Sequence, residues 1–402
     1  MSEYRFYAHK ISYYSGIVRP LFKYKKIPYT EISPGIKNAP MMFKQTGSSQ
    51  IPQMITPKNE AIQDTTVMCE YLEHNHPEPS IIPINPRQHM LMLMVQIFAN
   101  DFMIIPAMHY RWSFKLRNWR IVYYEFADGA MPNLPWFMKF FISRKITKRI
   151  EGAYRRMGGL DKDFLPEIEK WYEDFLSKLN FHFSLHRYLL GGKPSIGDFA
   201  LMGPMYAHLG RDTYPKKLMQ KKAPDVWRWV QRMNNPPNDD TSYLENDEIP
   251  KTLIPVLDIV FKYQGAKTKN IVKNTQKALD SIEKNEKLLR FNGKAEFILG
   301  NYKSEKPTET HIAWLQQRMM SSYDKLDQPE QESVNKILKS HNWYDHFMIR
   351  LKTPLKRVRN KYYHHDSDEK LISVRDADIN EGAFSAGTKS RREKSNPMGQ
   401  KI

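Results

Sequence analysis

The sequence predicts an α/β N-terminal domain over residues 1–85, an all-α domain over 86–235 and a helical extension over 236–365. Three observations carry that reading. Aromatic, β-prone runs flank an amphipathic helical pattern near the start of the chain. From Pro86 to Met233 the pattern is helical almost throughout. Asn234-Asn235-Pro236-Pro237-Asn238-Asp239-Asp240 then breaks the composition as a domain boundary or surface loop.

In chain order, Tyr4-Arg5-Phe6-Tyr7-Ala8-His9 reads as a strand and Lys10 to Gly16 as a loop. Ile17 to Lys26 reads as an amphipathic helix with Pro20 in its first turn, where a missing amide proton is harmless. Ile27 to Ile32 returns as a second strand, which implies a right-handed parallel crossover. Gln50-Ile51-Pro52-Gln53-Met54-Ile55-Thr56 and Glu60 to Thr66 flank the turn Pro57-Lys58-Asn59 as a hairpin. Asp64 or Thr65 then caps a helix whose apolar stripe is Val67, Met68, Tyr71 and Leu72. That helix mouth beside a rigid proline is a cradle for the carboxylate of a small ligand.

Met90, Leu91, Met94, Ile97, Phe98, Phe102 and Ile105 make one long apolar face. The run from Met90 to Met108 contains Gln96, Asn100 and Asp101, so it reads as a buried helix rather than a membrane span. Phe164 to Leu190, Phe199 to His208 and Ala223 onward supply further helices. Ser195 and Asp198 form a capping box, and Gly191 and Gly192 end the helix before it. In the extension, Ile249 to Tyr263, Thr268 to Arg290 and Ile312 to Leu326 read as helices, with Phe297 to Gly300 as a short strand. Residues 366–402 are polar and aperiodic and read as a disordered tail.

A folded globular chain follows from 41% apolar and 12% aromatic residues. One cysteine excludes a disulfide framework, and Met1-Ser2-Glu3-Tyr4-Arg5 lacks the layout of a signal peptide, so a soluble cytoplasmic protein is expected. The net charge of +18 favours acidic partners or simply solubilises the surface. No aromatic-basic RNA-binding motif, zinc-ligand cluster or basic zipper accompanies it, so neither specific nucleic-acid binding nor a metal is expected. Two segments concentrate the charge. Lys139 to Arg156 carries Arg144, Lys145, Lys148, Arg149, Arg155 and Arg156 against Glu151, and Arg350 to Lys361 has no acid. In the second, Leu351, Leu355, Val358 and Tyr362 share one helical face, which fits either a solvated helix or weak contact with an anionic membrane surface.

The order β-α-β then β-β-α, with Ile51-Pro52 opening the third strand and Asp64-Thr65 at the next helix, resembles the thioredoxin-like N-terminal domain of glutathione transferases. Gly191-Gly192-Lys193-Pro194-Ser195-Ile196-Gly197-Asp198-Phe199-Ala200 resembles the signature of that family's all-α C-terminal domain. The resemblance covers a little over half the chain; the extension goes beyond the compact members.

The resemblance implies glutathione as substrate, a small hydrophobic electrophile as its acceptor and a homodimer. A free thiol titrates near about 8.5, so a donor aimed at sulfur and a helix N-terminus suffice to make the thiolate available. Ser12 stands in the loop where serine- and cysteine-type transferases carry their sulfur-contacting residue, with Ser15 and Tyr14 as alternatives and helix capping as the competing role. Ile51 would pair with the cysteinyl backbone beside cis-Pro52, and Asp64 and Thr65 would hold the γ-glutamyl end. Asp64 replaces the family's usual glutamate and is one methylene shorter. Each also has a structural role, in the proline turn or the helix cap. His109, Tyr110, Arg111 and Trp112 are candidates for the electrophile pocket or for packing between the domains, and Cys69 for core packing. The alternative function is a non-catalytic binding or scaffold protein that keeps this fold and presents basic surfaces to anionic partners or a membrane.

Overall fold

The structure is a computed structural model describing residues 3–131, 133–156, 161–237 and 242–365, so the tail expected at 366–402 lies outside the described residues. Strand β1 (Tyr4–Tyr7), helix α1 (Ser15–Tyr24), β2 (Tyr29–Ile32), α2 (Ala39–Thr46), β3 (Gln53–Ile55), β4 (Ala61–Gln63) and α3 (Thr65–Asn75) come first. The sheet order is β2-β1-β3-β4, with β1 parallel to β2 and antiparallel to β3, and β3 antiparallel to β4. This is the thioredoxin-like α/β arrangement. The stretch that becomes α2 is not read as a helix above, because only Met42 and Thr46 of its residues are buried and its apolar stripe is thin. Helix α1 begins at Ser15, ahead of its apolar stripe, so Pro20 lies inside the helix and not in its first turn.

Helices α4 (Pro86–Asn100), α5 (Ile104–Ser113), α6 (Phe126–Ala130), α7 (Trp136–Arg156), α8 (Leu165–Leu185), α9 (Ile196–Ala207), α10 (Thr213–Lys222) and α11 (Pro224–Asn234) follow, with a π-helical turn at Ile121–Glu125. The stretch Pro86–Ser113 is long and apolar enough to cross a membrane by composition, yet its most apolar window is 83% buried against the rest of the chain. The capping box of Ser195 and Asp198 opens α9 as expected. Asp198 also accepts from the Leu189 amide at 3.1 Å and the Trp229 indole at 3.0 Å, so the cap ties α9 to α11. Gly191 does not end α8, which stops at Leu185; its φ of +116° instead serves a bridge to Tyr188 and Tyr243. Between the domains, a Cβ on Gly203 would lie 3.0 Å from Ile17, and this glycine lets α9 press against α1.

The extension folds as α12 (Ile254–Ile259), α13 (Ala266–Leu279), β5 (Lys287–Leu288), β6 (Phe291–Leu299), β7 (Tyr302–Glu309), α14 (Thr310–Tyr323), α15 (Gln328–Ser340), α16 (Tyr344–Phe347), β8 (Leu355–Val358) and β9 (Lys361–His364). A π-helical turn at Val260–Gly265 joins its first two helices. Its strands go beyond the single short one expected: β6 and β7 form a hairpin, and β5-β9-β8 a small sheet. Arg350 to Lys361 is therefore not a helix, and its amphipathic reading as a membrane-facing helix fails. One continuous core joins all three segments, from Phe6 and Leu21 through Met90 and Phe175 to Val260, Trp314 and Leu355. Helices α14 and α15 lie directly on α4.

Candidate functional site

Three backbone features mark the candidate site. The loop Ser12–Tyr14 opens that helix, the peptide bond Ile51–Pro52 is cis, and α3 starts at Thr65 behind Asp64. Gln53 fixes the approach to the proline by donating from Nε2 to the carbonyls of Ser48 at 2.7 Å and Gln50 at 3.1 Å. Ile51 is half-buried and Pro52 is buried.

The three candidate sulfur-contacting residues separate by their hydrogen bonds. Ser12 is half-buried, and its Oγ accepts from the Ser15 amide at 3.3 Å while donating to nothing among the described residues. Ser15 is wholly buried, its Oγ accepting from the His9 amide at 3.4 Å. Tyr14 donates its hydroxyl to the Asn100 carbonyl at 3.2 Å, and burial raises its phenol above the ordinary value. Tyr13 is held likewise by the Ala99 carbonyl. His9, packed against Gly129, is pushed down to about 4 by burial and is neutral near pH 7.

At the other end of the cradle, Asp64 caps α3 with Oδ1, accepting from the Thr66 amide at 2.9 Å and the Val67 amide at 3.4 Å. Its φ of +106° is a conformation that costs a non-glycine residue about 1–3 kcal/mol. The surrounding contacts offset that strain. Its second oxygen, Oδ2, faces the extension: His311 Nε2 lies 3.4 Å away and Arg357 Nη2 3.8 Å away. Burial pushes the Asp64 carboxyl up, but His311, Arg357 and the two amides outweigh it and hold the carboxyl below its ordinary value. Thr65 beside it is buried.

The extension holds these partners firmly. His311, one residue into α14, shares a 2.6 Å hydrogen bond between Nδ1 and the Tyr362 hydroxyl of β9. Its ring stacks on Trp314, and Arg357 of β8 lies 4.9 Å over the same indole. Burial lowers the His311 pKa, against the pull of Asp64. The two-residue turn Arg359-Asn360, both at positive φ, then reaches the N-terminal domain. Arg359 donates to the Lys44 carbonyl at 3.0 Å and Asn360 to that of Thr46 at 3.2 Å. A Cβ on Gly47 would lie 3.2 Å from the Arg359 carbonyl, so glycine admits the hairpin here. Arg318 of α14 pairs with Glu70 of α3 nearby.

The four residues proposed for the electrophile side are all buried and do not share one wall. His109 meets Glu169 at 3.1 Å and Ser113 at 3.0 Å. Tyr110 stacks with Phe114. Arg111 makes a two-pronged contact with Asp212, at 2.8 Å to each oxygen, and donates to the carbonyl of Ile11 at 3.1 Å, so it fixes the loop before Ser12. Trp112 packs with Val122 and Tyr154. Cys69 is buried, which pushes its thiol up. Among the described residues no group of three or more His, Cys, Asp or Glu is placed to hold a metal.

None of His311, Arg357 and Tyr362 is read from the sequence as a site residue, because their contacts with the cradle span most of the chain. The one local signal is Arg359-Asn360, a turn-forming pair between Leu355–Val358 and the aromatic run after it.

Residues 6–80 match the family model for the glutathione S-transferase N-terminal domain. No curated protein sequence matches the chain. Among solved structures, a glutathione S-transferase from Rhodospirillum rubrum F11 is 16% identical, with 62% of this chain and 96% of that one covered at a TM-score of 0.38. The beta-etherase LigF from Sphingobium sp. strain SYK-6 is 17% identical, covering 59% and 97% at a TM-score of 0.43. A glutathione S-transferase from Methylobacterium radiotolerans, in complex with glutathione sulfonate, is 15% identical, covering 61% and 97% at 0.36. With its β-α-β-α-β-β-α order and its cis-proline, the segment over residues 6–80 is similar to the glutathione S-transferase N-terminal domain.

Proposed function

We propose that the chain is a glutathione transferase-like enzyme that joins the thiolate of glutathione to a small hydrophobic electrophile. The observation that carries this reading is Ser12. Of the candidates at the mouth of α1, it alone combines partial exposure with a hydroxyl proton not already donated, while its oxygen is oriented by the Ser15 amide. A hydroxyl so held donates to a thiolate in place, and the N-terminus of α1 adds positive potential. In this scheme Ile51, beside cis-Pro52, pairs with the cysteinyl backbone, and Asp64 and Thr65 hold the γ-glutamyl end. The thiol proton leaves to solvent, the sulfur forms a bond to carbon, and the leaving group departs with its electron pair.

One observation favours the second reading, a binding or scaffold protein without turnover. Asp64 Oδ2, the oxygen that an incoming ammonium needs, already faces His311 and Arg357. Calorimetric titration of the full chain with glutathione, followed by turnover of a chromogenic aryl chloride, separates the two. Binding with turnover that drops in Ser12→Ala supports the enzyme. Binding without turnover supports the scaffold, and no binding removes both the thiol substrate and the conjugation chemistry.

A further inference from the structure

A patch far from this site in sequence carries chemistry that the proposed reaction does not use. Large apolar side chains stand out from α7 and the loop after α5: Leu116 is 84% exposed, Trp136 70%, Phe141 67%, Trp119 54% and Phe137 52%. A chain of rings joins Trp119 to Phe141 through Tyr124 and Phe140. Trp119 meets Tyr124 at 5.8 Å, Tyr124 meets Phe140 at 6.1 Å, and Phe140 meets Phe141 at 5.4 Å between ring centroids. Helix α7 keeps its inner face in the fold through buried Ser143, Thr147 and Tyr154, with half-buried Phe140 on the same side, whereas Phe137 and Phe141 belong to the outer face.

The charge on the same face has one sign. Arg144, Lys145, Lys148 and Arg149 are exposed along the next turns of α7, and Arg117 and Arg120 flank Trp119. The acids in this region are each engaged elsewhere. Glu125 pairs with Arg211, Asp128 with Lys139, and Glu151 with Lys115 and Arg155. The remaining cations meet no opposing charge among the described residues. An exposed aromatic end continued by a basic shaft is the pattern of a helix lying in a bilayer interface, with rings at the acyl boundary and cations on lipid headgroups. With Arg144, Lys145, Lys148 and Arg149 along its length, α7 is too charged to span a bilayer.

We propose that α7 and the loop at Leu116–Arg120 dock this protein on an anionic bilayer surface. Nucleic acid is disfavoured as the occupant, because aliphatic Leu116, Met138 and Ile150 share the exposed surface with the rings and offer no stacking face for bases.

The test is sedimentation of the full chain with phosphatidylcholine vesicles, with and without phosphatidylserine, at low and raised salt. Binding to the anionic vesicles that weakens with salt is expected. Each Lys or Arg near such a surface is worth about fivefold in partitioning, so Lys145→Gln combined with Lys148→Gln and Arg149→Gln loses about 100-fold. Phe137→Ser with Phe141→Ser loses about 100-fold and leaves the salt dependence in place. All five side chains are exposed, and unchanged melting of both variants shows that folding is intact. Equal binding to neutral and anionic vesicles, or none at low salt, overturns the proposal. So does tighter binding to single-stranded DNA than to vesicles, or a dimer in light scattering that Phe137→Ser with Phe141→Ser dissociates.

Discussion

Breaking the contact between Asp64 and Arg357 tests whether the extension is built into the cradle. The two side chains are only 11% and 4% exposed and lie 3.8 Å apart. At an effective dielectric of about 20, unit charges 3.8 Å apart attract by roughly 4 kcal/mol. Part of that is shared, because His311 and two amides also face Asp64, while Asn360, Gln63 and Trp314 face Arg357. Removing one partner of a buried pair costs about 3–5 kcal/mol when nothing else compensates. With those secondary contacts in place, Arg357→Met is expected to cost about 2–3 kcal/mol and Asp64→Asn a similar amount. The double variant should fall short of the sum by about 1–3 kcal/mol. Urea unfolding followed by far-UV ellipticity and by tryptophan fluorescence gives the numbers, coincidence of the two probes establishing one transition. Additivity within about 0.5 kcal/mol refutes the coupling, and with it the claim that the hairpin stabilises the carboxylate.

Ser12→Ala removes a charge-assisted hydrogen bond to the thiolate worth about 1.5–3 kcal/mol, so the bound thiol pKa rises by about 1–2 units. The acid limb of the turnover profile should move up in pH by that amount with its alkaline plateau near wild type, and an unmoved limb refutes the role. His311 tests the acid side of stability: its folded pKa lies below the ordinary 6.5. Its contribution is therefore fully present above 6.5 and lost as pH falls through the folded value. His311→Gln should flatten the loss of stability below 6.5 by up to about one proton, read from urea midpoints across pH, and an unchanged slope counts against it.

What could be read in the sequence was what is encoded locally. The proline, hairpin and cap from Gln50 to Thr66 depend on residues a few positions apart, and so does the capping box of Ser195 and Asp198. Only the end of β6 was legible, as Phe297 to Gly300, because Asn292, Gly293 and Lys294 break the apolar alternation before it. Arg350 to Lys361 misleads for a specific reason. Leu351, Leu355, Val358 and Tyr362 fit helical spacing, whereas the strand β8 buries Leu355 and Arg357. An arginine on the buried face defeats any template that looks for apolar residues there. Its burial follows from the aspartate and indole it meets, both supplied by distant segments.

That same contact makes glutathione binding a demanding event. Asp64 Oδ1 serves the amides of α3, so an ammonium must use Oδ2, beside His311 and Arg357. The lowered pKa of His311 leaves it neutral near pH 7, so the cation in the way is Arg357. Two outcomes follow for the hairpin of β8 and β9. If the ammonium replaces Arg357, the side chain must leave a buried position between Asp64 and Trp314, and the turn at Arg359-Asn360 loses its anchor. If the ammonium shares Oδ2, the ligand adds contacts over an intact hairpin. Hydrogen exchange of the backbone amides in residues 355–364 distinguishes them. A binding site opened by displacement shows faster exchange with saturating glutathione, as local unfolding becomes coupled to the ligand. We expect this acceleration, because a second cation at Oδ2 leaves one positive charge buried without a counter-ion of its own. Slowed exchange at the same amides, with glutathione bound, refutes displacement and makes Arg357 part of the wall that holds the ligand.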